Sequence, residues 1–164
     1  MPKKPNEEIT GSITEALLIL MQKQDFHKIT VTDITNKAGV GRVSFYRNFE
    51  SKENVLRKHL NKITDDFIER MNFDFRRDAH KFYIMGLFLH LESQKEIIEL
   101  LRKHNMLFLI KDEFDRAFLK RNDENTPIYT CYMAAGAYYN LFYYWVLNGY
   151  KEKPEELAEL EFSI

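Results

Sequence analysis

"TVTDITNKAGVGRVSFYRNFESK" (residues 30–52) sets two short apolar-periodic segments on either side of a glycine-flanked bend. It opens on a capping-box pattern, with Thr30 as N-cap and Asp33 three residues later. The first helix is short because Gly39 can take the left-handed conformation that ends it. A second helix is predicted over 42–48. At helical spacing Phe45 and Phe49 fall on one side of it, where Ile34, Ala38 and Val40 can receive them. Val43, Ser44 and Arg47 then face the opposite, exposed side, flanked by Arg42, Tyr46 and Asn48. An exposed face mixing one Arg, one hydroxyl and one isolated Val serves solubility poorly. It suits a DNA major groove, where Arg pairs with guanine, Ser with base edges or phosphate, and Val touches a thymine methyl. Ala38 lets the two helices cross closely and Gly41 leaves the approach to the second unobstructed. Lys52 follows a Ser51 cap at the first turn of the next helix, where a cation opposes the helix dipole. A phosphate held on the free N–H groups of that turn would give the lysine a partner.

Outward from this stretch nearly every segment answers to a helical period. Ile9, Ile13, Leu17, Leu20 and Met21 mark a first helix that begins near Pro5 and Asn6 and closes at Gln24 and Asp25. Phe26 and Ile29 are expected as core anchors in the connection that follows. Leu56, Leu60, Ile63, Phe67 and Met71 mark a long helix over 51–71. Further helices are predicted over 75–92, 93–104 and 107–121, then a loop at 122–127 and a long aromatic helix over 128–149. A short terminal helix should carry Leu157, Leu160 and Ile164 on one side. The expected fold is all-α, with about nine helices. Residues 7–60 form a helix-turn-helix domain of three helices, with the turn and reading helix at 30–49. A long fourth helix leads into a helical bundle over 61–164.

Composition fits this reading. With 45% hydrophobic residues the chain can bury a core, while 6 Gly and 4 Pro are too few for a turn-rich β-sandwich. Residues 1–60 hold ten Lys/Arg against seven Asp/Glu, a balance of +3. The rest hold fourteen against eighteen, a balance of −4. A basic end on an acidic body points to a polyanion partner. The lone Cys131 lies in an apolar run and reads as a small buried residue. The opening residues, "MPKKPNEEI", lack an apolar stretch behind their lysines, so no secretory signal is expected and the location is read as cytoplasmic. Ile128 to Tyr150 carries no charge, but seven tyrosines spread along it argue for a buried soluble helix and against a membrane span.

Residues 29–60, "ITVTDITNKAGVGRVSFYRNFESKENVLRKHL", resemble the N-terminal helix-turn-helix of the TetR family of transcriptional regulators. Thr30-Val31, Asp33-Ile34, Ala38-Gly39-Val40, Phe45-Tyr46, Phe49 and Lys52 carry the likeness. The resemblance implies that 42–48 is the recognition helix, with Arg42, Val43, Ser44 and Arg47 toward bases. It places Tyr46 and Lys52 on phosphates and Thr32 beside the DNA backbone.

The stretch "YYWVLNGYKEKPEELAEL" is similar to the end of many TetR-type regulatory domains. The resemblance implies a homodimer through the 128–149 helix and the C-terminal helix. The 128–149 helix is apolar nearly all round, which calls for burial on two sides, and Ala134-Ala135-Gly136-Ala137 would allow a neighbouring helix close approach. A dimer would read two half-sites of a palindromic double-stranded DNA operator about 34–36 Å apart. The family also implies a small-molecule effector, for which Phe82, Tyr83, Met85, Phe88, His90, Tyr132, Tyr139 and Tyr143 are candidate pocket residues. His80, His90 and His104 lack a partner at i+4 suited to metal, so neither metal nor other cofactor is expected. The function expected is a ligand-released repressor. A co-regulator of the same fold that docks on a protein is the alternative. Catalysis is not expected: Asp65-Asp66 lies on a polar helix surface without a companion His or nucleophile.

Overall fold

A computed structural model describes residues 5–71, 80–120 and 127–160. Within them lie nine α-helices: α1 (Pro5–Lys23), α2 (Val31–Ala38), α3 (Arg42–Asn48), α4 (Lys52–Met71), α5 (His80–Ser93), α6 (Lys95–Lys103), α7 (Phe108–Lys120), α8 (Ile128–Leu147) and α9 (Pro154–Ala158). A short 3-10 turn, Phe26–Lys28, joins α1 to α2. The helices divide into two compact units, Met1–Lys62 and Ile63–Ile164, and α4 contributes to both.

In the first unit α1, α2 and α3 pack on one another. Ile13, Leu17 and Met21 of α1, Ile34 of α2, Phe45 of α3 and Leu56 of α4 are buried. Phe26 and Ile29 are buried in the α1–α2 connection, as their apolar character in a polar segment suggests. Removing such side chains from water is the main driving force for closing this small unit.

The second unit is built around rings. Tyr83 of α5 meets Tyr138 of α8 edge-on at 5.4 Å and Phe118 of α7 at 6.0 Å. Phe118 and Tyr138 stack at 5.3 Å. Edge-to-face and offset pairs of this kind add to the burial of the rings themselves. Trp145, with Phe88 edge-on at 5.1 Å and Tyr150 at 4.9 Å, fills the end of α8. Its indole N–H donates to the Glu152 carbonyl at 2.8 Å, so the buried ring leaves no donor unmet. Asp65, Arg116, Glu113 and Lys120 form a charged cluster joining α4 to α7, with Arg116 2.8 Å from Asp65 and 2.7 Å from Glu113. Asp65 is therefore engaged in an ion cluster, where the sequence suggested a solvated surface carboxylate.

Two expectations need correction. The aromatic helix ends at Leu147, because Gly149 and Tyr150 take positive φ (76° and 57°) and turn the chain. The terminal helix is only Pro154–Ala158; Leu157 is buried on it, but Leu160 lies beyond its end, exposed. The proposed helix start at 75, the 122–127 loop and Ile164 fall outside the described residues, at least in part. Among the described residues no helix is long and apolar enough to cross a membrane, and no three His, Cys, Asp or Glu side chains gather as a metal site.

Candidate nucleic-acid interface

The reading face is set by two local devices in α2. At its start Thr30 Oγ1 accepts the Asp33 N–H at 3.1 Å, and Asp33 Oδ2 accepts the Thr30 N–H at 2.9 Å and the Thr30 hydroxyl at 2.7 Å. These bonds hold the Asp33 carboxyl below its usual pKa, since they favour the charged form. At its end Gly39, at φ 68°, donates to the Asn36 carbonyl, and Val40 N–H returns to the Thr35 carbonyl at 3.0 Å. That pair of bonds is the Schellman arrangement, which satisfies the last carbonyls and turns the chain out of the helix. Thr35, buried, donates its hydroxyl to the Thr32 carbonyl. The chain re-enters a helix at Arg42 after only three residues.

On α3 the inward side is Phe45, with Phe49 just past the helix end, their rings 5.9 Å apart. On the outward side Val43 is 74% exposed and Tyr46 54% exposed, and Arg42 and Arg47 are exposed as well. The Arg42 guanidinium lies 6.0 Å from the Tyr46 ring centre, within reach of a cation–π contact. Thr32 is exposed in the first turn of α2. These five side chains therefore stand outward with groups that hydrogen-bond to phosphates or base edges, or, for Val43, offer an apolar tip. Two others are less free. Ser44 is half-buried, and Asn48, also half-buried, turns its amide back to donate to the Ser44 carbonyl at 2.8 Å.

Lys52 is the first residue of α4, as expected, but its ammonium turns back to the chain before α2. Its ammonium donates to the carbonyls of Phe26 at 2.6 Å, His27 at 3.2 Å and Ile29 at 2.8 Å. Burial lowers its pKa, with Asp25 pulling the other way. The sequence reasoning missed this contact because the acceptors are main-chain oxygens, which no residue letter marks. Lys58, unremarked in the sequence, likewise donates to the Asn48 carbonyl at 2.7 Å.

The candidate pocket residues do not converge. Phe82 and Tyr132 are exposed, Phe88 is in the core against Trp145, and Met85 is half-buried. His90 stacks on Phe67 at 4.5 Å, and burial, then Arg70, lowers its pKa to about 4. Tyr139 and Tyr143 lie together, 5.9 Å apart, with Phe114 and Phe142 beside Tyr139. Tyr83 belongs to the three-ring core. Helical spacing gave the aromatics without saying which side of each helix meets a neighbour. On α8 one side is buried through Cys131, Ala135, Tyr138, Phe142, Trp145 and Val146. The other presents Tyr129, Met133, Tyr144 and Leu147, each more than half exposed, with Ala137 and Asn140 between them.

Comparison with known proteins agrees with this geometry. The family described as bacterial regulatory proteins, tetR family, matches residues 13–58. An uncharacterised HTH-type transcriptional regulator of Bacillus subtilis (strain 168), YxbF, is 32% identical over 53 residues. That alignment spans 32% of this chain and only 14% of the relative's length. Among solved structures, a TetR transcriptional regulator from Streptococcus agalactiae 2603V superposes with a TM-score of 0.62 at 21% identity, covering 93% of this chain and 90% of that one. The transcriptional regulator FadR from Bacillus subtilis, in complex with stearoyl-CoA, does so with a TM-score of 0.55 at 22% identity, covering 90% and 92%. At these identities the structural likeness speaks for the fold, and the sequence match speaks for the N-terminal helices. Residues 13–58 are thus similar to the helix-turn-helix of the tetR family of bacterial regulatory proteins, and the fold of the chain as a whole is that of the TetR regulator it superposes on.

Proposed function

We propose that this chain is a sequence-specific DNA-binding transcriptional regulator, a homodimeric repressor that reads a palindromic operator and is released by a small-molecule effector. The observation that carries the reading is the outward side of α3. Arg42, Val43, Tyr46 and Arg47 stand in water on a helix whose other side is locked by Phe45 and Phe49. An exposed valine amid arginines has no stabilising role in an isolated domain, whereas a major groove offers thymine methyls to the one and guanine edges to the others. Thr32 and Tyr46 are proposed as phosphate contacts, Ser44 and Asn48 as auxiliary ones.

The residue set 7–60 serves as reading head and 61–164 as regulatory and dimerisation body. The exposed apolar side of α8 supports a second copy as its partner, since a patch of this kind marks an interaction site. The likeness of fold to a FadR that holds stearoyl-CoA supports an effector in the body, and ligand and operator would then be linked through their preferences for one arrangement of the heads.

Footprinting of the purified protein on the DNA upstream of its own gene tests the reading. A protected palindrome is expected. Arg47→Ala should then lose base preference at about 1–3 kcal/mol, and Tyr46→Ala should weaken all sequences alike. Absence of any protected site at moderate salt, with a salt-resistant complex with another protein instead, would replace it by the co-regulator reading.

A further inference from the structure

An ammonium has three donors, and in water a lysine at a helix N-terminus would leave all three available to an anion. Lys52, the first residue of α4, has all three engaged. Their acceptors are the carbonyls of Phe26 and His27 in the 3-10 turn and of Ile29 just after it; the Phe26 carbonyl also accepts the Ile29 N–H that closes the turn. The ammonium also sits 4.6 Å from the centre of the Phe26 ring. A phosphate could reach this group only by displacing one of these bonds. The residue after Ile29 is Thr30, whose side chain caps α2.

Lys58 does the matching job six residues along α4. Its ammonium donates to the Asn48 carbonyl, at the end of α3, and lies 5.3 Å from the Phe49 ring. One lysine thus grips the chain immediately before α2 and the other the last residue of α3. Both carry positive charge to the C-terminal end of a helical segment, where the dipole favours it.

We infer that Lys52 and Lys58 are positioning residues that latch the two ends of the helix-turn-helix to α4, and that Lys52 contributes to DNA binding through this latch and not through a phosphate. The latch itself is independent of the DNA-binding reading; its second consequence rests on that reading. Charge alone does not suffice at Lys52. Three converging carbonyls suit the compact ammonium, whereas the planar fork of an arginine suits carboxylates and phosphates.

The test uses the full chain with Lys52→Ala, Lys52→Arg and Lys58→Met, by two measurements. Hydrogen exchange is followed at the amides of residues 26–34 and 48–50. Binding to mixed-sequence duplex DNA is titrated against salt by filter retention. Both Lys52 variants should speed exchange over 26–34 by about tenfold or more, the scale of one lost charge-assisted hydrogen bond. Lys58→Met should speed it over 48–50. The slope of log K against log salt should match the unaltered protein in both Lys52 variants, and Lys52→Arg should not restore affinity. Unchanged exchange over 26–34 overturns the latch. A slope flattened by about 0.9 in Lys52→Ala and restored in Lys52→Arg is the signature of a phosphate contact and overturns the second clause, whatever exchange shows. If the unaltered protein binds no duplex at all, the DNA-binding reading fails while exchange still decides the latch.

Discussion

Two glycines flank the bend between α2 and α3, and substitution should move stability in opposite directions. Gly39 sits at φ 68°, ψ 29°, and a Cβ built there meets no heavy atom within 4 Å. Steric crowding therefore adds nothing to the cost of Gly39→Ala, which is the left-handed backbone alone, about 1–2 kcal/mol for an L-residue. Gly41 sits at φ −78°, ψ 153°, which any residue adopts, and its Cβ is equally unobstructed. It is the N-cap of α3 and supplies no side-chain bond to that helix. Gly41→Ser adds a capping oxygen and restricts the unfolded chain, so a gain of about 0.5–1 kcal/mol is expected. For a unit of this size each kcal/mol is about 4–8 °C in Tm. Thermal melting by far-UV circular dichroism should show Gly39→Ala falling and Gly41→Ser rising. If Gly39→Ala melts with the unaltered protein, or both variants fall together, the assignment of the two roles from backbone angles is refuted. A Gly41→Ser protein that is more stable yet binds DNA less well would show in addition that nucleic acid approaches the main chain there.

Thr30→Val removes the acceptor of the Asp33 amide and should cost the first unit about 1 kcal/mol in urea unfolding. His90 is neutral in the folded body at pH values where the unfolded chain is partly protonated, its pKa being lowered from 6.5 to about 4. Its contribution is thus complete above about pH 6.5 and is lost as pH falls toward 4. The full shift corresponds to about 3 kcal/mol, reduced to about 1–2 by the solvent the ring still meets. His90→Gln should flatten that part of the pH–stability curve, and an unchanged curve would show that the stack on Phe67 does not hold the ring neutral. The dimer proposed above predicts that Met133→Glu or Tyr144→Glu on the exposed side of α8 shifts the protein from dimer to monomer in sedimentation velocity. An unaltered dimer would place the subunit contact on another surface.

Local signals carried the helix-turn-helix well. The Thr30–Asp33 box and the Gly39 stop depend on residues within one turn of each other, so spacing alone defines them. The side of α3 that faces water is set in the same way, by the burial of Phe45 and Phe49. Long-range polar contacts were not legible. Lys52 stands out in the sequence by its odd place at a helix start, but its acceptors lie 23 to 26 residues earlier and belong to the backbone. The body gave less still. Its aromatics recur at helical spacing on every side, so Phe88 and Phe82 read alike although one is fully buried and the other 62% exposed. The pairing of Asp65 with Arg116 and Lys120 spans 51 and 55 residues, a separation at which charge pattern says nothing about partners.

Trp145 is the single tryptophan of the chain, and it lies buried in the second unit between Phe88 and Tyr150. The first unit contains one tyrosine, Tyr46, on the outward side of α3. The protein therefore carries its own optical labels, one for each unit. Emission excited at the red edge reports the packing around Trp145 without a contribution from the head. With the eight other tyrosines changed to Phe and Trp145 retained, phenol emission would come from Tyr46 alone and would respond to whatever stacks on it or displaces its water. Unfolding of head and body, and the order in which each answers to DNA or a small molecule, can then be followed in one cuvette without an added dye.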